Sequence, residues 1–140
     1  MADSAPTLTS IIPSAAADIR LGVCGETIAA GQTIYIDTAN SNVLKLAQHD
    51  GTALEATVAG LALCGGAVGQ TIRYVTSDPN LAFTCGTWAV GDVLYCGSVY
   101  GGITETYADV TTGKYVTILG GCITAGTNIK LAITTLGLKP

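Results

Sequence analysis

One phrase recurs five times in this chain: "AAGQTIYI", "AVGQTIRYV", "AVGDVLYC", "TTGKYVTIL" and "TAGTNIKLAI", centred on Gly31, Gly69, Gly91, Gly113 and Gly126. Each copy has a small residue, a variable one, glycine, a polar residue, and then a short run carrying aliphatic or aromatic side chains. Glycine enters the left-handed backbone region without a steric penalty, so the phrase encodes a tight turn delivered into a strand. The spacing between the five glycines is irregular, which excludes a solenoid or propeller of fixed period. Five shared strand entries in 140 residues leave room for one small antiparallel barrel or sandwich.

The residues after the turns support this. In "QTIYID" Ile34 and Ile36 share a face, in "KYVTIL" Val116 and Ile118 do, and in "NIKLAIT" Ile129, Leu131 and Ile133 oppose Asn128, Lys130 and Thr134. The alternation predicts strands with one wet side each. The only helical stretch is near "DGTALEATVAG", and its Thr and Val content limits it to a turn or two. Before Leu21 the composition shifts to Ala, Ser, Thr and Pro, with Pro6 and Pro13 interrupting regular structure. The fold expected is all-β: an extended N-terminal arm over residues 1–20, and a single antiparallel barrel or sandwich over residues 21–140. Leu8, Ile11 and Ile12 give the arm apolar anchors that a solvated tail does not need.

Composition bears on partners. Hydrophobic residues make up 49% and charged residues only 11%, against about 25% charged in ordinary soluble domains. A surface so poor in charge is weakly protected against association, which points to a subunit. The net charge of -4 and the scattering of Arg20, Lys45, Arg73, Lys114, Lys130 and Lys139 exclude a nucleic-acid footprint. The opening "MADSAPTLTS" lacks the basic and apolar regions of a signal peptide, and no apolar run reaches the ~18 residues of a membrane span. Synthesis and retention in the cytoplasm of the producing cell are expected.

Candidate chemistry is sparse. Cys24, Cys64, Cys85, Cys96 and Cys122 have no C-x-x-C spacing, and His49 is the single histidine, so neither a metal site nor a cofactor is expected. The cysteines read as small buried hydrophobes, while Cys85 and Cys96 close the two sides of one predicted hairpin and could also form a disulfide. "GGAVGQT" is one residue short of a phosphate-binding loop and has Gln70 in place of lysine. His49, in the turn-like "AQHDG", reads as an ordinary exposed histidine with no nucleophile elbow to serve. Asp37, Glu55, Asp92 and Glu105 lie in turn signals and form no obvious acid/base pair. The chain is therefore expected not to be an enzyme, a hydrolase using His49 being the reading from the opposite class. Trp88, Tyr100 and Tyr107 could form an exposed patch for a sugar or a partner; alternatively Trp88 covers a barrel mouth and Tyr95 packs across its hairpin.

Taken in order, "GETIAAGQTIYID", "ATVAGLALCGGAVGQTIRYVTS", "GTWAVGDVLYCGSVYGGITE" and "TTGKYVTILGGCITAGTNIKLAI" make the region from about Gly25 to Ile133 resemble the small capsid-decoration (cement) proteins of tailed bacteriophages, and similar modules of other phage head and fibre proteins. The specificity lies in the series of four. The resemblance implies a β-rich virion structural protein without catalytic residues. Such proteins assemble, commonly as homotrimers, on the outside of a phage head, bind the major capsid protein and stabilise the shell. The cysteine content departs from that pattern. Leu8, Ile11 and Ile12 are the capsid contact expected on this reading. The alternative is a fibre, spike or tail component whose Trp88 to Tyr107 region touches a host glycan.

Overall fold

The computed structural model describes residues 10–84 and 88–140. Ten strands form one antiparallel sheet: β1 (Ser10–Ile12), β2 (Asp18–Val23), β3 (Thr33–Asp37), β4 (Val43–Leu46), β5 (Gly60–Ala62), β6 (Thr71–Thr84), β7 (Val93–Cys96), β8 (Ile103–Thr104), β9 (Tyr115–Thr124) and β10 (Asn128–Leu138). A single helical turn, α1 (Ala53–Ala56), and a 3-10 turn at Tyr107–Asp109 complete the described elements. Helix α1 falls within "DGTALEATVAG" and stays short. Thr52 and Glu55 close its first turn with a reciprocal capping box.

Strand β6 is the axis. Tyr74 faces Arg20 of β2 and Ala62 of β5, Ser77 faces Asp18 of β2 and Ala132 of β10, and Ala82 faces Ile12 of β1 and Asn128 of β10. One edge of β6 therefore carries β2 and β1 end to end, and the other carries β5 and then β10. From that second edge the sheet divides. One branch runs β5–β3–β4, the other β10–β9–β7–β8, and the whole curls into a half-barrel. The register slips by one residue opposite Lys130, at Pro79 and Asn80. Proline has no N–H to give the ladder and fits a strand of this length only at such a bulge.

The larger core fills the space between the branches with Tyr35, Leu61, Val75, Leu81, Phe83, Trp88, Leu94, Leu119, Ile129 and Leu131 among others. A smaller one, built on Cys24, Ile28, Ile34, Leu44, Ala62, Ile72 and Tyr74, lies behind the first branch. Neighbouring residues thus look into opposite cores: Ile34 and Tyr35, Ala62 and Leu61, Tyr74 and Val75. The expectation of one wet side per strand fails for β3 and β5. The chain from Cys24 to Ile28 folds back over the second face, where Cys24 bridges Leu44 in parallel and Ile28 pairs with Gly66. β10 keeps the expected pattern at its start, with Ile129 and Leu131 buried and Lys130 exposed.

All five repeated turns have the conformation read from the sequence. Gly31, Gly69, Gly91, Gly113 and Gly126 have φ of 85°, 87°, 93°, 85° and 66°. In each, the amide after glycine donates to the carbonyl three residues before it: Gln32 to Ala29, Gln70 to Ala67, Asp92 to Ala89, Lys114 to Thr111 and Thr127 to Thr124. These are β-turns with glycine at the third position, where positive φ is required.

Candidate interaction surface

The polar residue of the phrase does more than leave the turn. In three copies its side chain folds back onto the first residue's amide: Ala29 N–H donates to Gln32 Oε1 at 2.8 Å, Ala67 N–H to Gln70 Oε1 at 2.7 Å, and Ala89 N–H to Asp92 Oδ2 at 2.9 Å. In all five copies the glycine amide bolts the turn to a distant carbonyl: Gly31 to Ala62, Gly69 to Cys24, Gly91 to Cys122, Gly113 to Lys139 and Gly126 to Trp88. Two turns repeat one clasp: Cys24 N–H donates to Gln70 and Cys122 N–H to Asp92, while each cysteine carbonyl accepts from the adjoining glycine. The turns are structural, "GGAVGQT" included. Val68 and Val90, second in their turns, are exposed at the tips.

The described part of the arm lies along β6. Ile11 pairs with Phe83 and packs on the larger core, whereas the adjacent Ile12 points outward and is 60% exposed. Of the three anchors, Ile11 is therefore spent on the protein's own fold, Ile12 is available, and Leu8 lies outside the described residues. Between β1 and β2 the chain leaves β6 and is held by a buried carboxylate. Ser14 N–H donates to Asp78 Oδ2 at 2.7 Å, the Ser14 hydroxyl to Asp78 Oδ1, and Asn80 N–H to the same Oδ1 at 3.0 Å. Burial pushes the Asp78 carboxyl up, but the Ser14 hydroxyl and the amides of Asn80 and Ser14 outweigh it, so its pKa lies below the ordinary 3.8. Nothing in the local sequence signals this contact, which spans 64 positions.

Strand β2 follows, and its alternate residues Ile19, Leu21 and Val23 are 38%, 69% and 42% exposed. Opposite them on β6 are Val75, Arg73 and Thr71. Arg20 and Asp18 form an exposed ion pair at 3.2 Å, which holds the Asp18 carboxyl below its usual range.

The aromatic patch is corrected at Trp88, which is 5% exposed and stacks on Phe83 at 5.5 Å. It plugs the larger core, as the packing alternative had it. Tyr107 is exposed, packs against Tyr95 at 5.5 Å and carries the Lys139 ammonium 3.9 Å from its ring centroid. Tyr100 is exposed elsewhere, its hydroxyl 3.4 Å from Glu55. His49 is also corrected: at 2% exposure it is buried, where its backbone N–H donates to the Gly97 carbonyl and its backbone carbonyl accepts from Tyr115 N–H, sewing the loop between two strands. Asp37 pairs with Lys45 at 3.3 Å, while Glu55 and Asp92 are occupied as caps. Cys24 and Cys122 are buried free thiols and Cys64 a half-buried one; Cys85 lies outside the described residues, and with it the Cys85–Cys96 pairing. Burial, with Cys64 nearby, pushes the Cys24 thiol up.

No known protein-family model matches the chain, and no curated protein matches it. Among the described residues, no three His, Cys, Asp or Glu side chains gather as a metal site, and no helix is long and apolar enough to cross a membrane.

Proposed function

We propose that this protein is a virion structural protein, a decoration (cement) protein that binds the outer surface of a tailed-phage head through the major capsid protein and stabilises the shell. The observation that carries the reading is the arm. It is fastened to β6 by Ile11 and the Ser14–Asp78 contact, yet it turns the apolar Ile12 outward between these two attachments. A short apolar strand seated on the edge of a charge-poor protein suits attachment to a large neighbour. The order of the four phrases supports the same class. A cement protein works by burying surface across joints between shell subunits, so that pressure from packed DNA must separate more contacts before the shell opens. Assembly as a homotrimer adds avidity, each arm engaging with the others already held close.

The test is co-sedimentation with undecorated heads. Wild-type protein is expected to pellet with heads and to stay in solution without them; protein that stays in solution when heads are present refutes the reading. Ile12→Glu keeps the Asp78 anchor and removes the outward apolar side chain, whose full burial is worth about 1.5–3 kcal/mol. It is expected to weaken binding by about tenfold or more. Unchanged binding assigns the contact elsewhere than the arm.

A further inference from the structure

The outer edge of β2 offers a contact of its own. The amide and carbonyl of Cys24 face the turn at Gly69–Gln70, on the β6 side. By alternation the backbone groups of Ile19, Leu21 and Val23 face away from β6. β4 covers this edge only from the Cys24–Leu44 bridge onward. Ile19 and Leu21 are left with exposed apolar side chains and outward backbone groups that no described strand pairs.

An edge of this kind is normally guarded against foreign strands by charge, and Asp18 and Arg20 supply it here. Their order is self-complementary. We propose that β2 pairs antiparallel with β2 of a second copy, about a two-fold axis at Ile19. In that register Asp18 stands opposite the partner's Arg20, and Arg20 opposite the partner's Asp18. The two ion pairs of 3.2 Å join into an alternating square of four charges. Ile19 meets the partner's Ile19 and exchanges both backbone hydrogen bonds with it. Leu21 comes opposite the partner's Ala17, a small side chain half-buried against its own larger core. A strand with its charges in the other order sets like charge against like, and a neutral strand leaves the pair without cross-strand partners, so the pair that guards this edge favours a second copy. The contact is isologous, which separates it from the three-fold contact proposed above, and it does not depend on head binding.

The experiment is analytical ultracentrifugation of the full chain over a concentration series. Wild type is expected at an even multiple of the chain mass that dissociates by halves on dilution. Asp18→Arg and Arg20→Asp each set like charges opposite each other and are expected to weaken this association by about tenfold or more. The double exchange D18R/R20D restores the order and is expected to restore the mass. Wild-type mass in both single variants, or no recovery in the double exchange, overturns the proposal, and so does an undissociated trimer unaffected by any of them, which leaves the head-binding reading standing. As a second measurement independent of the charge variants, Ile19→Cys is exposed to oxidised glutathione. A disulfide-linked dimer above the wild-type background is expected, because a hydrogen-bonded antiparallel pair holds its Cα atoms about 5.5 Å apart, within disulfide range. Its absence counts against the register.

Discussion

Replacing Asp78 by alanine tests the account of the arm directly. The carboxylate has no solvent exposure and accepts three hydrogen bonds, two from Ser14 and one from Asn80. Hydrogen bonds to a charged group contribute about 1.5–3 kcal/mol each, but removing the charge also removes the cost of burying it, and the half-buried Ser14 recovers water. A net loss of about 2–4 kcal/mol follows. It should be local before it is global: residues 10–17 lose their tether to β6 while the β9–β10 ladder keeps its own. Denaturant unfolding measures the total, and amide exchange at Ile11 and Ile12, compared with Leu119 and Leu131, measures where it falls. The pH dependence carries a fixed sign. Because the folded pKa lies below 3.8, the contribution is complete above about pH 4, the unfolded value, and is lost as pH falls through the lower folded value. The stability gap between wild type and Asp78→Asn, which does not titrate, should shrink over that interval. A loss under about 0.5 kcal/mol with unchanged protection at Ile11 and Ile12 would refute the tether.

Three further substitutions separate packing from backbone effects. Gly120 has φ of 152°, and a Cβ there would sit 1.8 Å from the Lys130 carbonyl oxygen, so Gly120→Ala should cost about 3 kcal/mol or more by thermal unfolding. Gly91 has φ of 93° with nothing within 4 Å of a Cβ; Gly91→Ala should cost only the backbone strain, about 1–2 kcal/mol, and an equal loss in both variants would contradict the steric argument. Trp88→Ala removes a buried ring stacked on Phe83 and should cost about 3–5 kcal/mol in denaturant, with the near-ultraviolet dichroism of the packed aromatics lost. Surface-like behaviour of this variant, under 1 kcal/mol, would return Trp88 to the exposed patch.

The turns were legible because their cause is local. A positive φ asks for glycine, and the polar residue that follows it occupies the position from which a side chain reaches back to the first amide, as Gln32, Gln70 and Asp92 do. The faces of β10 were legible for a similar reason, since Ile129 and Leu131 alternate with Lys130 against a single core. β3 was not, because "TIYID" alternates between two apolar environments whose existence depends on where Cys24 and Leu44 meet. The burial of His49 rests on Gly97 and Tyr115, and the anchoring of Ser14 rests on Asp78. Contacts of that span leave no periodic trace near either partner. The arm was therefore half legible: its apolar residues stood out, while the division of labour between Ile11 and Ile12 depends on the register with Phe83 and Ala82.

The end-to-end seating of β1 and β2 on one edge of β6 has a mechanical consequence. A pull on the N-terminus away from the sheet loads the ladder one rung at a time from Ser10, so β1 with its three residues yields at low force. Peeling then reaches the Ser14–Asp78 contact, whose hydrogen bonds break together, before it can start on the six residues of β2. The clasp acts as a rip-stop. A tug on the arm can strip three residues and recoil without opening the smaller core.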